Sequence, residues 1–150
     1  MGGTFDIIHD GHMAMLKTAF QDSDLVTIGL TTDERASDSR ERDIKPIKER
    51  FSNLEDICLT YSNIFNCDFE IKRIDNPYGG AVNTNADAII ISPEEKTLDR
   101  AREINKKRTN NGLDRLQIIQ APMIRDYKGR KISSTNIHNN QIDKHGRKVE

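Results

Sequence analysis

Apolar positions along this chain switch between two periods. From residue 10 to residue 20, Met13, Leu16 and Phe20 recur at helical spacing, with His12 four residues before Leu16 on the same stripe. Asp24–Thr31 is a run rich in branched residues and predicts a buried strand. Thr32 to Pro46 is densely charged without periodicity and predicts a mobile loop. The helical period returns over Ile47–Phe65, which turns Phe51, Leu54, Ile57, Cys58, Tyr61 and Ile64 or Phe65 inward. Cys67–Ile74 alternates as a strand, and Asp75-Asn76-Pro77-Tyr78-Gly79-Gly80 is turn chemistry.

The second half repeats the scheme. Asp87–Ser92 is a short apolar strand of the kind a parallel sheet buries. Ser92-Pro93-Glu94-Glu95 reads as a capping box, with Ser92 as N-cap, Pro93 at the first helical position and Glu95 reaching back. The helix it opens runs to about Asn110 and stops near Gly112. Leu116–Ala121 is another strand, and after a turn over 126–131 a final helix starts around Ser133. Strands alternating with helices of this length predict an α/β fold, a Rossmann-like parallel sheet with helices on both faces. In such sheets ligands sit beyond the carboxyl ends of the strands. The segments 2–11, 31–46, 75–83, 92–95 and 126–134 all fall at such ends and can line one crevice.

Length and charge narrow the partners. A chain of 150 residues predicts one domain over 1–150. Charged residues make up 31% of it, the net charge is -1 and the mean hydropathy is -0.72. No apolar run approaches a membrane span, and no basic-then-apolar leader opens the chain, so no membrane partner is expected. The near-neutral balance argues against nucleic acid. The basic end Lys144-His145-Gly146-Arg147-Lys148 reads as a solvated tail. Cys58 and Cys67 have no motif spacing, which predicts reduced thiols in a cytoplasmic protein. Small molecules remain as the expected partners.

The chemistry concentrates at the start, in Gly2-Gly3-Thr4-Phe5-Asp6-Ile7-Ile8-His9-Asp10-Gly11-His12. A glycine turn, a hydroxyl and two imidazoles stand around the N-terminus of a helix that begins at the second histidine. Helix N-termini attract anions, because their first N–H groups lack intrahelical partners and the dipole there is positive. Glycine lets backbone approach a bulky ligand. Two other readings stay open: a His-x-x-His zinc site, which needs further ligands, and plain helix-start residues. Near the other end, Ile132-Ser133-Ser134-Thr135-Asn136-Ile137 opens the last helix with consecutive hydroxyls, which suits a polyphosphate or, more simply, an N-cap.

Together these two segments resemble the nucleotidyltransferase superfamily with HxGH and ISST-type motifs. Within it the chain is similar to the archaeal-type phosphopantetheine adenylyltransferases over nearly its whole length. The likeness includes Gly29-Leu30-Thr31-Thr32-Asp33, Lys45-Pro46 with Glu49-Arg50, Asn76-Pro77-Tyr78-Gly79 and Ile91-Ser92-Pro93-Glu94. The resemblance implies transfer of AMP from ATP to 4′-phosphopantetheine, giving dephospho-coenzyme A and pyrophosphate, by direct in-line attack with no covalent enzyme intermediate. It implies that His12 holds the α-phosphate and stabilises the transition state, with His9 beside it on the triphosphate. Gly3, Thr4, Phe5 and Gly11 line the nucleotide site, Thr4 also holding the attacking phosphate. Lys45 neutralises the reacting phosphates, and Ser133, Ser134 and Thr135 bind the β- and γ-phosphates. Mg²⁺ is expected on the triphosphate, no metal on the protein itself, and a monomer rather than an oligomer.

Departures from the family pattern carry expectations of their own. Asn136 and His138 stand where the family commonly has arginine, so the phosphate clamp is weaker or Lys128, Arg130 and Lys131 supply the charge. Met1 directly precedes the glycine turn, so the first strand is expected to be truncated, the sheet to lose a middle strand, and the native protein to start upstream. The rival readings are a related cytidylyltransferase, a flavin adenylyltransferase, or a non-catalytic nucleotide-binding module.

Overall fold

A computed structural model describes residues 1–38, 42–76 and 78–150, with the side chain of residue 38 left out. Its elements in chain order are β1 (Gly2–Gly3), α1 (Asp10–Gln21), β2 (Leu25–Thr31), α2 (Asp33–Asp38), α3 (Ile47–Phe65), β3 (Asp68–Ile74), β4 (Ala88–Ile91), α4 (Glu95–Asn110), β5 (Gln117–Gln120) and α5 (Ser134–His138). All strand pairs are parallel and the sheets are flanked by helices, as the alternating periods predict.

The sheet is in two parts, ordered β1-β2-β3 and β4-β5. β2 and β3 pair in register from Leu25↔Asp68 to Thr31↔Ile74, and β4 and β5 from Ala88↔Gln117 to Ile91↔Gln120. β1 contributes only Gly2↔Gly29 and Gly3↔Leu30. Among the described residues no ladder joins β1 to β4. The sheet therefore parts beside its shortest strand, and a cavity of about 630 Å³ lies along the break, between Gly2, Gly3 and Gly29 on one side and Ile89, Ile90 and Ile91 on the other.

The core explains why α1 and α3 form where they do. Met15, Leu16, Ala19 and Phe20 of α1 are buried with Val26, Ile28 and Leu30 of β2 and Leu54 and Cys58 of α3. Phe20 sits 6.0 Å from the Tyr61 ring and 6.1 Å from the Phe69 ring, within the range of favourable aromatic pairs. Cys58 and Cys67 are buried and unpaired, and burial pushes the Cys58 thiol up to about 12.

Several sequence expectations are corrected. The stretch expected to be a mobile loop holds α2, whose Ala36 is buried; residues 39–41 of that stretch, and Pro77 of the 75–80 turn, lie outside the described residues. In α3, Phe51 and Ile64 face outward. Leu54 and Cys58 are buried as expected, Ile57, Tyr61 and Phe65 pack against the core, and Arg50 joins the inward stripe. In α1 the buried face includes Met15 and Ala19, with Met13 half-buried. α4 starts at Glu95 with Glu94 as N-cap and no side-chain cap, so Ser92 is not the N-cap. The hydroxyl that closes this turn is Thr97 Oγ1, 2.7 Å from the Glu94 carbonyl.

The basic end is not a free tail. Ile142 is buried, the Tyr127 N–H donates to the Gly146 carbonyl at 2.8 Å, and the Asp10 N–H donates to the Lys144 carbonyl at 3.0 Å. His145 Nδ1 lies 2.9 Å from Asp10 Oδ1. The segment thus packs against the start of α1, where one of the helix's orphan N–H groups needs an acceptor.

Candidate active site

α1 starts one turn earlier than its second histidine, and the two histidines start it together. His9 is the N-cap. Its Nδ1 accepts the Gly11 N–H at 3.0 Å, while His12 Nδ1 accepts the His9 N–H at 3.3 Å. This is a capping box built from imidazoles. A neutral ring whose Nδ1 accepts a hydrogen bond carries its proton on Nε2. The cap therefore fixes both tautomers and makes Nε2–H the donor of each ring. The rings stack with centroids 3.9 Å apart, and Phe5 leans on His12 at 5.1 Å.

Small residues make this packing possible. A Cβ on Gly11 would lie 2.8 Å from His9 Cε1, and one on Gly3 would lie 3.1 Å from the Phe5 ring. Phe5 is buried with a φ of 50°, a left-handed conformation that a bulky residue keeps only where its surroundings impose it. His9 is buried too, and desolvation, then the nearby Lys131 charge, lower its pKa to about 4. It stands neutral at physiological pH, as its acceptor role requires.

A second group of residues faces this one from β2 and α3. Arg50 is fully buried. It donates from Nε to the Lys45 carbonyl at 2.7 Å, from Nη1 to the Thr4 and Thr31 carbonyls at 2.9 Å each, and from Nη2 to Asp33 Oδ1 at 2.7 Å. Asp6 holds the other side of the same residue, accepting the Lys45 N–H at 2.7 Å, and its remaining oxygen pairs with Arg42. Against the desolvation that would raise it, hydrogen bonds from Arg42 and Lys45 hold the Asp6 carboxyl below its ordinary value. The Lys45 backbone is thus gripped from both sides while its side chain stays exposed. Arg42 Nε and Nη2 are buried with no partner among the described residues. The Thr31 hydroxyl donates to Thr4 Oγ1 at 3.0 Å and sets its orientation.

The hydroxyls of α5 divide in role. Ser133 Oγ is the N-cap acceptor for the Asn136 N–H at 3.1 Å, which leaves its own proton to donate. Ser134 Oγ donates its proton to the Ile7 carbonyl at 3.0 Å, so it joins α5 to the loop before His9. Thr135 is exposed.

Sequence reasoning named His9, His12, Gly3, Thr4, Phe5, Gly11, Lys45, Ser133, Ser134 and Thr135, and the fold brings their segments to the carboxyl ends of β1 and β2 and the start of α5. It gave no role to Asp6 or Arg50. The signal for Arg50 was present: it lies four residues before Leu54 and eight before Cys58, on the apolar phase of α3. A charge in that phase must find buried partners. For a His-x-x-His zinc site, no cluster of three His, Cys, Asp or Glu side chains that could hold a metal exists among the described residues.

The cavity along the break in the sheet reaches this group through Gly3, Thr31 and Ser92. Segment 78–84 lines it, and Arg108 pins that segment by donating to the Ala81 carbonyl at 2.9 Å and the Thr84 carbonyl at 2.7 Å.

Residues 1–140 match the cytidylyltransferase-like family. A phosphopantetheine adenylyltransferase of Methanothermobacter thermautotrophicus is 40% identical over 147 residues, covering 97% of this chain and 85% of that relative. A bifunctional phosphopantetheine adenylyltransferase/NTP phosphatase of Thermoplasma volcanium is 36% identical; the match spans this whole chain but only 44% of the relative. Among solved structures, a protein of unknown function from Archaeoglobus fulgidus superposes with a TM-score of 0.67 at 30% identity, over 81% of this chain and 86% of its own.

Proposed function

The chain belongs to the cytidylyltransferase-like family, and from that membership we propose that it is a phosphopantetheine adenylyltransferase, a nucleotidyltransferase of coenzyme A biosynthesis. It moves AMP from ATP to 4′-phosphopantetheine and releases pyrophosphate. The observation that carries this reading is the imidazole capping box, which presents two Nε2–H donors at the N-terminus of α1.

The acceptor's phosphate oxygen attacks the α-phosphorus in line, the bond to the β-phosphate oxygen breaks, and pyrophosphate leaves. No protein nucleophile is needed, so the protein's work is alignment and charge stabilisation. His12 Nε2–H meets the α-phosphate as charge builds, and His9 donates beside it. A neutral His9 serves better than a titrating one, since its donor is present throughout the physiological range. Lys45 brings its ammonium to the reacting phosphates from a peptide that Asp6 and Arg50 hold in place. Thr4 holds the attacking phosphate, Gly3, Phe5 and Gly11 shape the cleft, and Ser133 and Thr135 take the β- and γ-phosphates. The cavity beyond Gly3 and Thr31 is sized for the acceptor's arm. The donors here are N–H groups and cations rather than a carboxylate cage, which fits Mg²⁺ carried on the triphosphate with its waters.

We place the activity in the cytoplasm, in a monomer of one domain; no helix among the described residues is long and apolar enough to cross a membrane. The test is pyrophosphate release by the purified protein with Mg²⁺ and 4′-phosphopantetheine, comparing ATP with CTP. Release with ATP alone is expected. Release with CTP alone would move the reading to cytidylyl transfer, and release with neither, from folded protein, would overturn it.

A further inference from the structure

Three cations stand in the turn before α5, and two of them are committed within it. Arg130 donates from Nε to Asp126 Oδ2 at 3.0 Å, and its Nη2 lies 3.0 Å from the same oxygen. Lys128 Nζ lies 5.6 Å from the centroid of the Tyr127 ring. Lys131 is placed differently. Its ammonium reaches across to Glu94, just past the end of β4. Its own segment is bridged to Arg125, and three residues on, Ser134 ties that segment to the Ile7 carbonyl, two residues before His9. Lys131 therefore spans the crevice between the ends of β1 and β4, near enough to His9 for its charge to oppose protonation of that ring.

The partner of Lys131 is also unusual. Glu94 has a second cation at hand, since Lys96 Nζ lies 3.7 Å from its Oε2 while Lys131 sits on Oε1. Glu94 keeps a counter-charge if Lys131 leaves it. Lys131 is partly exposed, with 35% of its side-chain surface accessible, so it is not locked in place. An ammonium on a four-carbon stem is a point charge that can be re-aimed without moving the backbone. A polyphosphate at the start of α1 offers that charge a stronger partner than one carboxylate does.

We propose that Lys131 is a phosphate-binding residue of the nucleotide site, held on Glu94 in the free protein and drawn to the β- and γ-phosphates when a polyphosphate occupies the N-terminus of α1. This rests on the nucleotidyl-transfer reading above. It adds a ligand to that site and a carboxylate that competes with the nucleotide for it.

Calorimetric binding of ATP, inorganic pyrophosphate and AMP to the parent chain and to Lys131→Met and Glu94→Gln tests the exchange. Lys131→Met is expected to weaken ATP and pyrophosphate about tenfold and to change AMP by less than about twofold. Glu94→Gln removes the competitor and is expected to tighten ATP about threefold. Lys131→Gln, with a polar end on a shorter stem, repeats the measurement if the Met variant melts early. Unchanged ATP affinity in the Lys131 variants, or an equal loss for AMP, would overturn the proposal while leaving nucleotidyl transfer standing. Glu94→Gln binding ATP no more tightly than the parent would remove Glu94 as the competitor and so overturn the exchange. A parent chain that binds neither ATP nor pyrophosphate would overturn both readings.

Discussion

His9 and His12 cap the same helix through each other's turn, Gly11 N–H to His9 Nδ1 and His9 N–H to His12 Nδ1, with their rings stacked at 3.9 Å. Capping thus uses one nitrogen of each ring and leaves the other for the proposed chemistry. That division lets the two contributions be separated by substitution.

Replacing His12 with Ala removes the proposed transition-state donor and one side of the cap. Turnover is expected to fall by about two to three orders of magnitude, the usual loss for one such donor. Stability falls by about 1 kcal/mol, as for other lost caps. Pyrophosphate release and thermal melting measure the two effects, and a variant of near-normal rate would take His12 out of the mechanism.

Because the folded pKa of His9 is lowered to about 4, the unfolded chain binds the proton more readily over the interval from about 6.5 down to 4. The stabilisation is fully present above pH 6.5 and is lost as pH falls through that interval. About 2 kcal/mol should disappear between pH 7 and pH 5, before carboxylates with unfolded values near 4 begin to titrate. Chemical denaturation at the two pH values should show a loss about 2 kcal/mol larger in the parent than in His9→Gln.

Gly11→Ala places a methyl group against the His9 ring, 2.8 Å from Cε1 in the undisturbed geometry. Overpacking of this kind costs about 1–3 kcal/mol. Relief by turning the ring breaks the Nδ1 bond and redirects the Nε2 donor, so the KM for ATP should rise with the loss of stability. Equal KM values for the two proteins would mean that the ring orientation does not matter.

Arg50→Met leaves three backbone carbonyls and the Asp33 carboxylate without their shared donor. A buried acceptor left unpaired, such as the Thr4 carbonyl, costs about 1–3 kcal/mol, so a marked drop in Tm is expected. Arg50→Lys keeps the charge and loses the fork that reaches four acceptors; it should fold and still release pyrophosphate slowly, through a lower kcat, because Lys45 is no longer held. Full activity in Arg50→Lys would reduce the residue to a packing role.

The order and type of the elements could be read from periodicity, because α1, β2, α3 and β4 each carry a long apolar signal that tertiary packing reinforces. Their exact faces could not. Phe51 and Ile64 obey the helical period of α3 yet point outward, since the core meets the strip that Arg50, Leu54, Cys58 and Tyr61 occupy. Segment 33–38 looked like loop because its charges hid the buried Ala36 that anchors α2. Ser92 and Pro93 imitate a helix start that Thr97 actually closes. At the site, residue types were legible and connections were not. Nothing in Asp6, Lys45 and Arg50 as letters says that one peptide is held by the other two, because that contact spans 39 residues and depends on β1 and α3 meeting.

The four bonds of the Arg50 guanidinium also set how the molecule comes apart. The segments of Thr4 and Lys45 are tied to the end of β2 at Thr31 and the start of α2 at Asp33, and one rigid fork makes them open together. The α5 hydroxyls connect to this unit through the Ser134 bond to Ile7. Under mild denaturant the half of the cleft proposed for the acceptor should resist hydrogen exchange as long as the core does, while the half proposed for the β- and γ-phosphates exchanges earlier. Loss of activity would then precede loss of the fold, beginning from the pyrophosphate side.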